Sequence, residues 1–152
     1  MIKRVHFWQV VVAALALCSS RLAAADIAYV PVDGATGSGP STVSVIDTSS
    51  NTVITTITVG ERPRSIAANP QTRKVYVANF GSPFVGGNTG DVSVIDGATN
   101  TVIATIPVVA PLGIATSGQQ VYVSGFSNAV TVISAVTNSV IASIPIPGGC
   151  CG

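Results

Sequence analysis

Ionisable side chains are scarce in this sequence of 152 residues, since only 9% are Asp, Glu, Lys or Arg, against about 25% in an average soluble domain. Leucine is also rare, with four copies beside 24 Val, 14 Ile and 15 Thr. Because β-branched residues lose side-chain freedom in helices and pack well on pleated sheets, this composition excludes a helical protein. The 15 Gly and nine Pro supply turns, and the length allows one modest domain.

The first 25 residues have the features of a secretory signal peptide. Lys3 and Arg4 give a basic start, an apolar stretch runs from Val10 to Cys18, and three small residues end at Ala25. We expect cleavage after Ala25 and export to the periplasm, the cell surface or the medium. The apolar run is much shorter than the roughly 20 residues that span a bilayer, so we expect no membrane span after cleavage.

A second interpretation of the same segment is a lipoprotein signal. The residues Leu15 to Cys18 resemble a lipobox, but Leu17 occupies a position where that motif has a small residue. Cleavage after Ala25 is therefore the preferred prediction.

Cleavage removes most of the residues that could perform chemistry. The mature chain would keep four basic and six acidic groups, a net charge of −2, so it has too few cations to bind a nucleic acid. It would also lose the only histidine, His6, which excludes a His-assisted nucleophile. We predict no catalytic residue, no cofactor and no metal. The adjacent Cys150 and Cys151 make no disulfide framework, and we assign them no role.

Three motifs recur in the same order along the rest of the chain. The three tyrosines of the sequence open the repeats and lie 47 and 46 residues apart, a spacing typical of propeller blades. Each repeat then contains a Val-x-Val-Ile segment and an Asn-(Thr/Ser)-Val-Ile segment, both β-branched runs bounded by turn residues, as in strands. The copies are Tyr29, Tyr76 and Tyr122; Val43–Asp47, Val92–Asp96 and Val130–Ser134; and Asn51–Val59, Asn100–Val108 and Asn138–Ile146.

A fourth strand precedes the tyrosine in two repeats and is approached through Pro63 and Pro111. One unit is therefore four strands, a to d, with the tyrosine on strand b. The connections from Asp47 to Asn51 and from Asp96 to Asn100 suit tight turns, since Asp hydrogen-bonds its own backbone and Asn tolerates a positive φ.

These repeats resemble the YVTN family of β-propellers, whose name describes the tyrosine strand. The segment Tyr76-Val77-Ala78-Asn79 matches three of four positions, whereas the first and third repeats lack the Asn79 equivalent. The resemblance covers residues 26–146 and implies an all-β propeller of four-stranded antiparallel blades. It implies no single activity, because members of the family share none.

The strand count predicts an incomplete ring. We divide the chain into a signal peptide (1–25), blade 1 (26–60, lacking strand a), blade 2 (61–109), blade 3 (110–147) and a tail (148–152). Closed propellers have about four to eight blades, and three cannot close. The ring needs further blades, either because this chain is the N-terminal part of a longer propeller or because other copies of it associate.

Candidate binding residues gather at one end of the predicted blades. The b-to-c and d-to-a connections emerge together, and two of the b-to-c connections carry long Gly-rich insertions. We therefore predict a binding face for an unknown protein or small-molecule ligand there. The alternative is that these insertions are only tolerated surface loops. Its candidates are Asp33, Glu61, Arg62, Arg64, Phe80, Phe84 and Asp91.

Other conspicuous residues are better explained by structural roles than by metal or ligand binding. Asp47 and Asp96 lack the alternating carboxylates of a calcium loop and fit capping turns. Phe80 and Phe126 follow their tyrosines by four residues, which favours packing between blades. The sequence thus predicts a non-catalytic, exported binding or cell-surface scaffold. The alternative is a fragment of a propeller enzyme, such as a lyase, lactonase or quinoprotein dehydrogenase, with its catalytic groups in missing blades.

Overall fold

The computed structural model describes residues 26–34, 41–82 and 89–147, which form eleven strands and no helix. All strand pairs are antiparallel, and the strands fall into three sheets of three, four and four. Blade 1 contains β1 (Ile27–Val32), β2 (Ser41–Asp47) and β3 (Thr52–Val59). Blade 2 contains β4 (Pro63–Asn69), β5 (Lys74–Asn79), β6 (Asp91–Asp96) and β7 (Thr101–Pro107). Blade 3 contains β8 (Pro111–Ser117), β9 (Gln120–Gly125), β10 (Ala129–Ser134) and β11 (Ser139–Pro145).

This architecture confirms the predicted all-β class and the three open antiparallel blades, the first of three strands. Strands are adjacent in each sheet in their order along the chain, so every blade is a meander. The predicted signal peptide (1–25) and tail (148–152) lie outside the described residues.

Apolar residues of alternate strand positions fill two layers between the blades. One layer joins blades 1 and 2 and the other joins blades 2 and 3, so only blade 2 is covered on both faces. Burying each such side chain contributes about 1.5–3 kcal/mol. The first layer contains Tyr29, Val43, Val45, Ile57, Val59, Ile66, Val75, Val77 and Ile95. The second contains Tyr76, Val92, Val94, Ile106, Val121, Val123, Ile133 and Ala135.

The last strand of each blade lies at the edge of its sheet and contains the same β-bulge. The register shifts so that one isoleucine has no partner on the neighbouring strand, at Ile54, Ile103 and Ile141. These isoleucines are 46–52% exposed. Because a bulge bends and twists the strand, it makes these edges poor templates for pairing with another chain.

Candidate binding face

Five connections lie at one end of the blades, and we call this end the long-loop face. Its described residues are 33–34, 60–62, 80–82, 89–90, 108–110 and 126–128, and the parts of the connections at 35–40 and 83–88 lie outside the described residues. All candidate binding residues predicted from the sequence belong to these connections or to the strand ends beside them. Phe84 is the one candidate that falls outside the described ranges.

Two arginines and two phenylalanines form a cluster on this face. The guanidinium carbon of Arg62 lies 5.0 Å from the ring centre of Phe80, and that of Arg64 lies 5.8 Å from it. The Phe126 ring of blade 3 meets the Phe80 ring edge-on, with centroids 5.7 Å apart. Phe80 is 8% exposed whereas Phe126 is 51% exposed. Phe80 therefore packs between the blades, and Phe126 presents half of its ring to solvent.

The backbone of the d-to-a connection positions both arginines. Arg62 has a φ of 52° immediately before Pro63, and Ala110 has a φ of 41° before Pro111 at the same place in the next repeat. Because both repeats share this left-handed residue, it belongs to the turn rather than to one site. The Phe80 N–H donates to the Arg62 carbonyl oxygen at 3.0 Å, which ties the two connections together.

Arg64 owes its position to a second irregularity. Pro63 pairs with Asn79 and Ser65 pairs with Ala78, so Arg64 is an extra residue in β4. Bulges commonly redirect a side chain in this way. Leu112 occupies the matching position in β8, so blade 2 alone carries a charge there.

A buried polar group lies beside the cluster. The Asn79 amide nitrogen donates to a carboxylate oxygen of Asp91 at 2.7 Å and to the Ser93 hydroxyl at 2.8 Å. A Cβ on Gly60 would lie 2.7 Å from that amide nitrogen, so only glycine allows this approach of blade 1. Burial raises the pKa of Asp91, and hydrogen bonds with Asn79 and Ser93 oppose the rise.

The other two acidic candidates lie nearer the surface. The Ser41 hydroxyl donates to Asp33 at 3.3 Å and accepts a bond from the Gly34 N–H, which links the two ends of the b-to-c connection in blade 1. Asp33 is exposed and Glu61 is half-buried. The Glu61 carbonyl oxygen accepts a bond from the Gly81 N–H at 3.1 Å.

The opposite end of the blades carries the repeat-defining turns. Asp47 accepts hydrogen bonds from the Ser49 hydroxyl and from the N–H groups of Ser49 and Ser50, and these bonds lower its pKa. Asp96 accepts one from the Ala98 N–H. Both carboxylates therefore cap their turns. The asparagines that end the turns have φ of 53–55°, as expected, at Asn51, Asn100 and Asn138.

The same end holds contacts that sequence reasoning missed. The Tyr29 hydroxyl donates to the Asn100 side-chain oxygen of blade 2 at 2.9 Å. The Lys74 ammonium donates to the Ala135 carbonyl at 2.7 Å and to the Asn138 side-chain oxygen at 2.9 Å. Tyr76 is fully buried, and burial raises the pKa of its hydroxyl. The sequence signal for the contacts with Asn100 and Asn138 was the asparagine that recurs at the end of every c-to-d turn.

Within the described ranges, no three His, Cys, Asp or Glu side chains lie close enough together to hold a metal ion. The same ranges contain no helix with the length and apolar character of a membrane span.

Neither a protein-family profile nor a curated protein sequence matches the chain. Solved structures do match it. Hydrazine synthase of Kuenenia stuttgartiensis is 22% identical over 79% of this chain and 34% of its own, with a TM-score of 0.63. Apo AztD of Citrobacter koseri is 16% identical over 86% of this chain and 38% of its own, with a TM-score of 0.60. Sqt1 of Saccharomyces cerevisiae is 11% identical over 81% of this chain and 31% of its own, with a TM-score of 0.66.

These neighbours are β-propellers that differ in activity, and identities this low establish the fold alone. The chain spans about a third of the length of each. The blades described above therefore form an open part of a β-propeller.

Proposed function

We propose that this chain is an exported, non-catalytic repeat protein of the YVTN type that acts as a binding or cell-surface scaffold through its long-loop face. The observation that carries the proposal is the cluster of Arg62, Arg64, Phe80 and Phe126. Both guanidinium groups lie over the Phe80 ring, and the Arg62 Nη1 atom is buried without a hydrogen-bond acceptor.

Such a cluster suits an acidic partner. A guanidinium that stacks on an aromatic ring keeps its N–H edge directed outward, where it can bind a carboxylate or a phosphate. The half-exposed Phe126 ring adds an apolar contact of the kind that anchors protein interfaces.

The start of the fold supports export with cleavage after Ala25. The Asp26 carbonyl accepts hydrogen bonds from the N–H and the hydroxyl of Thr48, at 2.9 Å and 2.8 Å. Asp26, which directly follows the proposed cleavage site, is therefore bonded into blade 1 and belongs to the mature chain.

The test is cross-linking of the exported protein to its cell envelope, with the captured partner identified by mass spectrometry. That partner is then titrated against Arg64→Ala, Phe126→Ala and the control Arg73→Ala. Arg73 is exposed at the opposite end of the blades and precedes β5. We expect the first two variants to bind at least ten-fold more weakly and the control to bind normally. Equal loss in all three variants would contradict a binding site on the long-loop face.

One observation favours the second candidate, part of a propeller enzyme. Asp91 has a raised pKa, and its neighbour Asn79 has a buried side-chain oxygen without a hydrogen-bond donor. Perturbed carboxyls of this kind are common in active sites. This candidate requires further blades that place His, Glu or Arg near Asp91, which sequencing beyond Gly152 would test.

A further inference from the structure

The outer face of blade 3 repeats a surface that is buried elsewhere in the molecule. Ile57 of blade 1 and Ile106 of blade 2 are both 5% exposed because each packs against the following blade. Their equivalent in blade 3 is Ile144, which is 44% exposed. Ile146, the equivalent of the 6%-exposed Val59, is also 44% exposed. Blade 3 therefore presents an apolar face with the pattern of an interface between blades.

One kind of hydrogen bond recurs at both interfaces between blades. At both interfaces, the asparagine that ends the c-to-d turn of the later blade accepts a bond from strand b of the earlier blade. Tyr29 donates to Asn100 across the first interface, and Lys74 donates to Asn138 across the second. The Ile114 N–H and the Thr116 hydroxyl of blade 3 also donate to blade 2, so what the two interfaces share is the pairing of a strand-b donor with a turn asparagine.

Each open end of the three blades carries one partner of this kind of hydrogen bond: a strand-b donor in blade 3 and a turn asparagine in blade 1. Tyr122 of blade 3 stands at the position of Tyr29, but its hydroxyl bonds only to the neighbouring Gln120 side chain of the same strand. Asn51 of blade 1 is exposed and has a φ of 53°, close to the 55° of Asn100. Val30 and Ile46, at the positions of the buried Val77 and Ile95, are only half-buried.

We propose that the outer face of blade 3 binds blade 1 of a second copy of this chain, with Tyr122 donating to Asn51 of that copy. One chain carries both halves of the interface, so two copies can join head to tail at both ends. Such a heterologous contact closes when the rotation between copies completes a circle. Two copies together contain six blades, which is within the range of about four to eight blades found in closed propellers.

The first experiment measures the mass of the purified exported protein by size-exclusion chromatography with light scattering, over a dilution series. We expect twice the chain mass for the native protein and a single chain mass for Ile144→Asp, because the carboxylate would be buried in the interface. The matched control is Ile141→Asp on the same strand. Its counterpart Ile103 remains 46% exposed between two neighbouring blades, so this variant should assemble normally.

A second experiment tests the hydrogen bond without disturbing the apolar face. Tyr122→Phe and Asn51→Gly each remove one partner, and glycine accepts the positive φ of residue 51. The closed pair contains this neutral hydrogen bond twice, so each variant should weaken assembly about 25-fold, and the double variant should weaken it no further. A native protein that is a monomer at every concentration, an assembly that survives Ile144→Asp, or strictly additive effects of the two substitutions would each overturn the proposal.

Discussion

At the scale of single residues, Asp91 links the candidate binding face to the stability of the fold. Burial raises its pKa from 3.8, so the folded state holds this proton more tightly than the unfolded state. The free energy of unfolding should therefore fall as the pH rises from that value through the folded-state pKa.

The variant Asp91→Asn tests this sign. Its side-chain carbonyl can still accept the bond from Asn79, but it brings no charge into the buried site. We expect a higher unfolding temperature at neutral pH and a weaker dependence of that temperature on pH between acidic and neutral conditions. Thermal unfolding by circular dichroism over this range makes the comparison, and a variant with the native pH dependence would contradict the assignment.

The Tyr29–Asn100 hydrogen bond gives a second prediction at this scale. Tyr29→Phe and Asn100→Gly should each lower the free energy of unfolding by about 1 kcal/mol, with a coupling of similar size between them. Asn100→Asp serves as the control, since it keeps an oxygen acceptor and tolerates the positive φ. Urea unfolding of the four variants measures the coupling, and a coupling near zero would show that the bond adds nothing to stability.

Local roles of residues could be predicted from the sequence, whereas their long-range partners could not. The capping by Asp47 and Asp96 and the positive φ of the turn asparagines depend on a few neighbouring residues. The bond from Tyr29 to Asn100 joins residues 71 positions apart, and it depends on how two sheets stack. The raised pKa of Asp91 likewise depends on burial, which composition does not reveal.

At the scale of elements, the contact of Phe80 with Phe126 joins blades 2 and 3 at the long-loop face. Phe80→Ala should lower the free energy of unfolding by about 3–5 kcal/mol, because a buried ring is removed and a cavity remains. Phe126→Ala should lower the free energy of unfolding by about half as much, since half of this side chain is already exposed to water. Chemical denaturation provides both values, and equal costs would contradict the different burial of the two rings.

The strands themselves were predictable because their β-branched runs and turn residues recur three times. The bulges at Ile54, Ile103 and Ile141 were not predicted, although each repeat carries a signal for them. Adjacent Val and Ile residues interrupt the alternation of inward and outward positions at the same place in all three edge strands. The repeated sequence therefore specifies the bulge as well as the regular strand pairing.

At the scale of the whole molecule, the three small residues that end at Ala25 predict the mature N-terminus. We expect the intact mass of the exported protein to correspond to a chain that begins at Asp26. A variant with Ala23 and Ala25 changed to Lys should remain uncleaved, because the processing site requires small residues. An unprocessed native chain, or one that starts beyond Asp26, would contradict the proposed boundary.

The open three-blade arrangement followed from counting strands, because each repeat forms one sheet of its own, the first with three strands and the others with four. The occupants of the two open ends could not be derived in this way. They depend on which surfaces remain exposed after the blades stack, and only the structure gives the exposure of Ile144 and Asn51.

The recurring bond from strand b of one blade to the turn asparagine of the next also has an evolutionary consequence. Blade 2 carries both halves of this pairing, the donor Lys74 and the acceptor Asn100, so a duplicated copy of its coding segment would bring both halves with it. The gene can therefore gain or lose whole blades by recombination between repeats, and the ring size of its relatives can change in single steps.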